Sequence, residues 1–183
     1  MAEIKSTLDL VMEKTKDMVL SDEDKQEVLN RERENRACGL LLKLKQGQIK
    51  PDDLPQIIDK LEEEAAPVKR MLLELMVEEL SLGGENDSTL TGIRILSPST
   101  TGDAVKRIED LFQEYDQSVI DLTAVYRKKL LDDLKDQGIS GSAVIPKVDQ
   151  DPAWAEARAG MKTQFEARFN QVKSALIDAS RSA

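Results

Sequence analysis

The sequence predicts an all-α protein, and three observations carry that prediction. Apolar residues recur at helical spacing over most of the chain. Aromatic residues make up 3% and charged residues 33% of the chain, a composition typical of helical and coiled-coil proteins rather than sheets. A long stripe with coiled-coil spacing occupies the C-terminal half. We expect an N-terminal helical segment followed by a long, coiled-coil-like antiparallel helical hairpin.

The stripe in the C-terminal half alternates steps of three and four residues, which is a heptad seam. A lone helix cannot bury such a stripe, so the seam needs a partner surface in this chain or another. Its members are therefore candidate partner-binding residues: Val105, Ile108, Phe112, Tyr115, Val119, Leu122 and Tyr126.

A second stripe begins at Trp154 and continues to Ala179. Thr100 with Asp103 should start the first long helix, and Gly138 should end it. Asp151 and Pro152 suit the N-cap and first residue of the last helix. Two long stripes joined by about fifteen loop residues indicate an antiparallel hairpin with a core around Phe112 and Phe165. This arrangement leaves apolar side chains over for the N-terminal helices or a second subunit, such as Leu111, Ile120 and Val125.

Residues 1–80 are expected to form a helical region of three or four helices, and 103–183 the hairpin. The first helix, 4–19, has one apolar face and suits docking or oligomerisation, with a membrane-surface helix as the alternative. Ser21 and Asp24 form a capping box for a second helix that ends near Gln46, before Gly47. Pro51 should start a further helix, and Pro67 either kinks that helix or begins another.

Residues 81–102 form the expected linker or loop between the two helical parts, because 83–88 and 97–99 have the glycine, serine and proline composition of turns and loops. The linker contains a β-prone run, 93–96, and the expected hairpin tip contains another, 143–145. An extended linker could span the hairpin and pair the two runs within one chain. We favour an antiparallel dimer, which would bring the two runs together twice by symmetry. Val144 and Ile145 are therefore further candidate partner-binding residues.

Charge and cysteine content narrow the classes of function. The net charge of −9 opposes binding to nucleic acid or to an anionic membrane surface. One cysteine permits no internal disulfide, which fits a cytoplasmic setting. The N-terminus lacks the apolar core of a signal peptide, and no apolar run is long enough to cross a bilayer.

The sequence offers no specific catalytic or metal-binding motif. It contains no histidine, which removes the commonest general base and metal ligand. Cys38 lies beside an apolar run and is expected to be a small buried hydrophobe. The glycine- and serine-rich loop 138–142 could form an anion nest, but it lacks the spacing and lysine of a phosphate loop. We expect no catalytic residues, no metal and no cofactor.

The leading hypothesis is a cytoplasmic helical interaction protein, acting as a scaffold, adaptor or chaperone-like clamp, with a protein partner or self-association and no membrane contact. The alternative is an RNA- or ribosome-associated factor, in which five basic residues would gather on one face: Lys43, Lys45, Arg127, Lys128 and Lys129. A third class is an enzyme that uses paired carboxylates and the glycine- and serine-rich loop.

Overall fold

The computed structural model describes residues 21–97 and 101–181, with side chains to residue 179. No strand occurs in these ranges, and the prediction of an all-α protein is confirmed for them. The predicted helix 4–19 and the predicted capping residue Thr100 lie outside the described residues. Six α-helices are present in the two described ranges: α1 Asp22–Lys45, α2 Leu54–Asp59, α3 Ala65–Glu79, α4 Asp87–Leu96, α5 Gly102–Asp136 and α6 Pro152–Arg181.

Both ends of α1 follow the prediction from sequence. The Ser21 hydroxyl accepts a hydrogen bond from the backbone N–H of Asp24, whose carboxylate accepts one from the backbone N–H of Ser21. This capping box satisfies two N–H groups that the first turn leaves unpaired. At the other end Gly47 adopts a φ of 68°, and the chain closes a Schellman turn from Gln48 back to Lys43.

Pro51 and Pro67 each lie at the start of a helical segment. Pro51 opens a short 3₁₀ turn, Pro51–Asp53, that runs directly into α2. Pro67 is the third residue of α3, where the missing N–H would have no partner within the helix. Of the two possibilities that the sequence left open for Pro67, the structure shows the beginning of a new helix.

The predicted linker 81–102 contains a helix, so the prediction of a loop throughout this range is wrong. Residues Asp87–Leu96 form α4, which buries Leu90, Ile93 and Leu96. The prediction failed because a short apolar run does not distinguish a strand from a buried helix by its period alone. Gly92 also favoured a loop, because glycine lowers helix propensity. In the structure this glycine allows close packing, since a Cβ at that position would lie 3.0 Å from Cε of Met76.

The same finding overturns the predicted pairing of two β-prone runs. Residues 93–96 form the last turn of α4, where the backbone is helical and its N–H groups donate within the helix, so they cannot pair with 143–145 as an extended strand. Two of the four side chains, Ile93 and Leu96, are buried in the core. Any association of the loop at 143–145 with a second subunit therefore needs a different receiving surface.

A continuous hydrophobic core joins the described helices. It extends from Ala37 in α1 to Leu176 in α6, and α3 packs against α1, α4 and α6. Lys173 of α6 donates hydrogen bonds to the carbonyl oxygens of Glu78 and Leu80, at the C-terminal end of α3. Burial lowers the pKa of Lys173, while the nearby carboxylates of Glu78 and Glu79 act to raise it.

Within the described ranges, none of the helices combines the length and the apolar character that a membrane crossing needs.

Candidate interaction surface on the long helix

The predicted seam of α5 packs against α6 over much of its length. The rings of Phe112 and Phe169 lie 5.5 Å apart, and those of Tyr115 and Phe165 lie 5.4 Å apart with an edge-to-face geometry. Later positions of α5 contact earlier positions of α6, so the two helices run antiparallel where they touch. Phe112 and Phe165 are both 9% exposed, as the sequence predicted for core residues.

Four of the predicted partner-binding residues are covered by the protein's own helices. Val105, Ile108, Phe112 and Tyr115 belong to the hydrophobic core. Val105, Ile108 and Tyr115 pack within this core, and Phe112, which is 9% exposed, meets the surface only as part of a cleft lining described below, so we do not retain the four as residues of an open surface. The remaining seam residues, Val119, Leu122 and Tyr126, are half-buried.

A hydrogen bond fixes the far part of the α5–α6 contact. The indole N–H of Trp154 donates to the hydroxyl of Thr123 across 3.2 Å, and that hydroxyl donates in turn to the carbonyl oxygen of Val119 across 2.7 Å. The guanidinium of Arg158 stacks over the indole ring, with its central carbon 5.3 Å from the ring centroid. This arrangement sets the register of the two helices on the side away from the main core.

Beyond Trp154, α5 continues past the start of α6 and packs on the connecting segment. We call residues 138–151 the tip loop. Its 3₁₀ turn, Val148–Gln150, buries Val148. Leu130 and Leu134 line a shallow cleft of about 480 Å³ together with Pro146 and Gln150. Gly138 ends α5 as predicted, with a φ of 79° and a hydrogen bond from the backbone of Ile139 to Leu134.

The predicted tip residues Val144 and Ile145 differ in exposure. Val144 is half-buried, whereas Ile145 is 82% exposed, the highest value among the exposed large hydrophobic residues of the described chain. Ile145 remains available to a partner, and its assignment as a binding residue stays a prediction.

The α5 helix carries a second, outward-facing row, which we call the outer stripe. Its six positions again alternate steps of four and three, and all six are exposed: Gln113, Gln117, Ile120, Ala124, Arg127 and Leu131. Ile120 is 61% exposed and Leu131 37% exposed. The apolar spacing predicted Ile120 as a residue left over by the hairpin, but the continuous row emerges only once the inward face is known.

The charges along the outer stripe change sign from one end to the other. At 100° per residue, Lys106 falls on the stripe side one turn before the stripe, and Glu109, Asp110 and Asp116 follow it near the N-terminal end, whereas Arg127, Lys128 and Lys135 fall on that side near the C-terminal end. Among the described residues, Asp116 and these three cations form no ion pair, while Glu109 pairs with Arg94. The outer stripe is therefore acidic at one end and basic at the other.

A cleft of about 460 Å³ adjoins the acidic end of the outer stripe. We call it the α4–α5 cleft, because both helices line it. Leu90 and Phe112 supply apolar lining, and Asp87, Arg94 and Asp116 supply charged lining. The turn before α4 is held by Asn86, whose side chain bonds to the backbone of Ser81 and Gly84. The sequence did not reveal this cleft, since α4 was predicted as a loop.

The five basic residues of the predicted nucleic-acid face do not gather on one surface. Lys45 forms an ion pair with Glu79, which compensates its charge. Lys43 belongs to α1, which packs on α3, whereas Arg127, Lys128 and Lys129 belong to the part of α5 that extends toward the tip loop. The geometry therefore offers no support for a single basic surface.

Cys38 is exposed in α1, so the prediction of a buried thiol is wrong. It lies next to Ala37, which is buried, and falls on the solvent side of the same helix turn. In the described part of the chain, no group of three or more cysteine, aspartate or glutamate residues is placed to hold a metal ion.

Comparison of the chain with protein-family models, with curated proteins and with solved structures gives no match.

Proposed function

We propose that this protein is a helical interaction protein, with α5 and α6 forming a coiled-coil-like hairpin whose outward surface binds another protein chain. One observation carries the proposal. Four of the seven large apolar side chains that are exposed in the described residues lie on the outer stripe and the tip loop: Ile120, Leu131, Ile139 and Ile145. Scattered exposed hydrophobic residues are ordinary, but their concentration on one element favours a binding surface.

The anchoring of the hairpin supports the same proposal. Its base is part of the main core through Phe112, Phe165 and Phe169, while its far part is held by the Trp154–Thr123 contact and by half-buried leucines. An element with a rigid base and a less buried far end presents a surface in a fixed direction. An adaptor or scaffold needs such a surface.

The cytoplasmic setting is part of the proposal. The chain has a single cysteine, and its thiol is exposed. An exposed thiol without a second cysteine fits a reducing compartment, where it stays free of intermolecular disulfides.

Site-specific photocrosslinking in the native cell tests the proposal. A photoreactive residue replaces Ile120, and a matched control replaces Val125, which is 65% exposed on the same helix but points about 140° away. We expect covalent adducts with a protein at position 120 and far fewer at position 125. Equal, background labelling at both positions would contradict the proposed binding surface.

A further inference from the structure

We infer that the partner at the outer stripe is a second copy of this chain, bound antiparallel with its tip loop at the α4–α5 cleft. This inference rests on the proposed function, because it names the occupant of the same surface. It is carried by the order of charges along the stripe, by the position of its exposed apolar residues and by the length of α5 beyond them.

The charge order favours an antiparallel copy over a parallel one. In a parallel pair, the acidic end of one stripe would face the acidic end of the other, and the basic ends would also meet. A two-fold, antiparallel pair places the basic end against the acidic end at both ends of the contact. Because Asp116 and Lys135 have no ion-pair partner within the described chain, their charges are available for that contact.

The apolar residues select a register. Ile120 and Leu131 are the large apolar members of the outer stripe. In the two-fold arrangement, Ile120 of each copy contacts Leu131 of the other copy, so this contact occurs twice. In the register that puts Ile120 opposite Leu131 of the second copy, Asp116 is level with Lys135 of that copy. Ala124 is level with Arg127, and the small alanine leaves room for the arginine stem.

The same register accounts for the exposed tip. The end of α5, Asp136, lies about 16 Å from the midpoint between Ile120 and Leu131, and Phe112 lies about 20 Å from it in the other direction, so the residues that directly follow α5 reach the level of Phe112. The tip loop of each copy, which carries Ile139 and Ile145, is therefore level with the α4–α5 cleft of the other. The apolar part of that cleft's lining comes from Leu90 and Phe112, which are each 9% exposed, and its volume of about 460 Å³ is ample for an isoleucine side chain.

Other occupants fit the charges less well. Nucleic acid would be repelled by the acidic end of the stripe, and an apolar ligand would not use either charged end. The chain's own apolar N-terminal stripe, 4–19, carries lysines and acidic residues in similar number and has no matching order of charge. It remains a distinct outcome of the test.

Light scattering on the full chain gives the first part of the test. We expect the wild-type protein and Val125→Asp to have twice the chain mass at micromolar concentration, and Ile120→Asp to have the chain mass. Circular dichroism checks that both variants are folded, which their exposed positions favour. A wild-type protein that stays monomeric up to about 100 µM, or a dimer that Ile120→Asp leaves intact, would overturn the inference. A dimer lost only on removal of residues 1–20 would assign association to the N-terminal segment instead.

Charge reversal tests the direction and the register. Lys135→Asp places a carboxylate level with Asp116 twice per dimer, and we expect dimer dissociation to rise at least tenfold. The double variant Asp116→Lys with Lys135→Asp should regain most of the affinity. A parallel pair would show no such rescue, because like charges would still meet, and absence of rescue overturns the antiparallel register.

The two proposals fail separately. If the protein is monomeric but a photoreactive residue at position 120 captures a different protein in the cell, the interaction surface stands and the homodimer is wrong. If position 120 captures no protein and the chain is monomeric, both are wrong.

Discussion

Trp154 donates its indole N–H to the Thr123 hydroxyl across 3.2 Å, and this bond joins α6 to α5 on the side away from the main core. The hydroxyl is already committed as a donor to the carbonyl oxygen of Val119, so it can only accept from the indole. The contact therefore depends on both residue types, and it fixes the direction in which the outer stripe is presented.

Replacing Trp154 with Phe or Thr123 with Val should each lower the free energy of unfolding by about 0.5–1.5 kcal/mol, the usual net value of one hydrogen bond. The double variant should cost less than the sum of the two, because both changes remove the same bond. Urea unfolding followed by circular dichroism measures all four proteins. Full additivity would show that the indole and the hydroxyl do not interact in solution.

Truncating Phe165 to Ala should lower the free energy of unfolding by about 3–5 kcal/mol. Phe165 is 9% exposed and contacts the Tyr115 ring edge to face, so its removal leaves a cavity between α5 and α6. Gln164→Ala, an exposed change one residue earlier, is the control and should cost under about 0.5 kcal/mol. A loss below about 1 kcal/mol for Phe165→Ala would mean that this part of the seam is not packed.

The ion pair between Arg33 and Glu64 predicts a difference in acid stability. A hydrogen bond from Arg33 holds the pKa of Glu64 below its ordinary value of 4.5, so folding favours the ionised carboxylate. The resulting stability is present above the ordinary pKa and is lost as pH falls through the lowered one. Between pH 6 and about pH 3, the wild-type protein should lose more stability than Glu64→Gln. An equal loss of stability in both proteins over this pH range would show that the Arg33–Glu64 pair does not contribute to acid stability.

Replacing Lys173 with Met should loosen the attachment of α6 to the end of α3. The variant keeps an apolar stem over Phe169, but it loses two hydrogen bonds to the carbonyl oxygens of Glu78 and Leu80. We expect a loss of about 1–2 kcal/mol in the free energy of unfolding, since a hydrogen bond from a charged group stabilises the fold more than one between neutral groups. Thermal or urea unfolding measures the loss, with the exposed Lys162→Met as the matched control. An unchanged stability would mean that water replaces the lysine at no cost.

Local sequence signals predicted the helix ends well. The predicted helix caps form at four places: Ser21 with Asp24, Gly47, Gly138 and Asp151. They were predictable because caps depend on interactions within a few residues. Phe112 and Phe165 were also predictable as core residues, since each lies in the middle of a long apolar stripe. These features need no knowledge of how the helices are arranged.

Features that depend on packing between distant segments were not predictable. Gly92 lowers helix propensity in isolation, and only the approach of Met76 explains why a glycine belongs inside α4. Cys38 was expected to be buried because its neighbours are apolar, yet it lies on the exposed side of α1. The outer stripe could be defined only after α6 had been placed on the opposite face of α5, because sequence spacing does not say which apolar residues stay uncovered.

The most direct test of a bound outer stripe is hydroxyl-radical footprinting of the wild-type protein in its native cell. Ile120 and Val125 are 61% and 65% exposed in the isolated chain, so an uncovered α5 would oxidise both to a similar extent. A partner on the outer stripe predicts that Ile120 is oxidised several-fold less than Val125. Equal oxidation of the two residues would contradict the claim that this face of α5 binds protein.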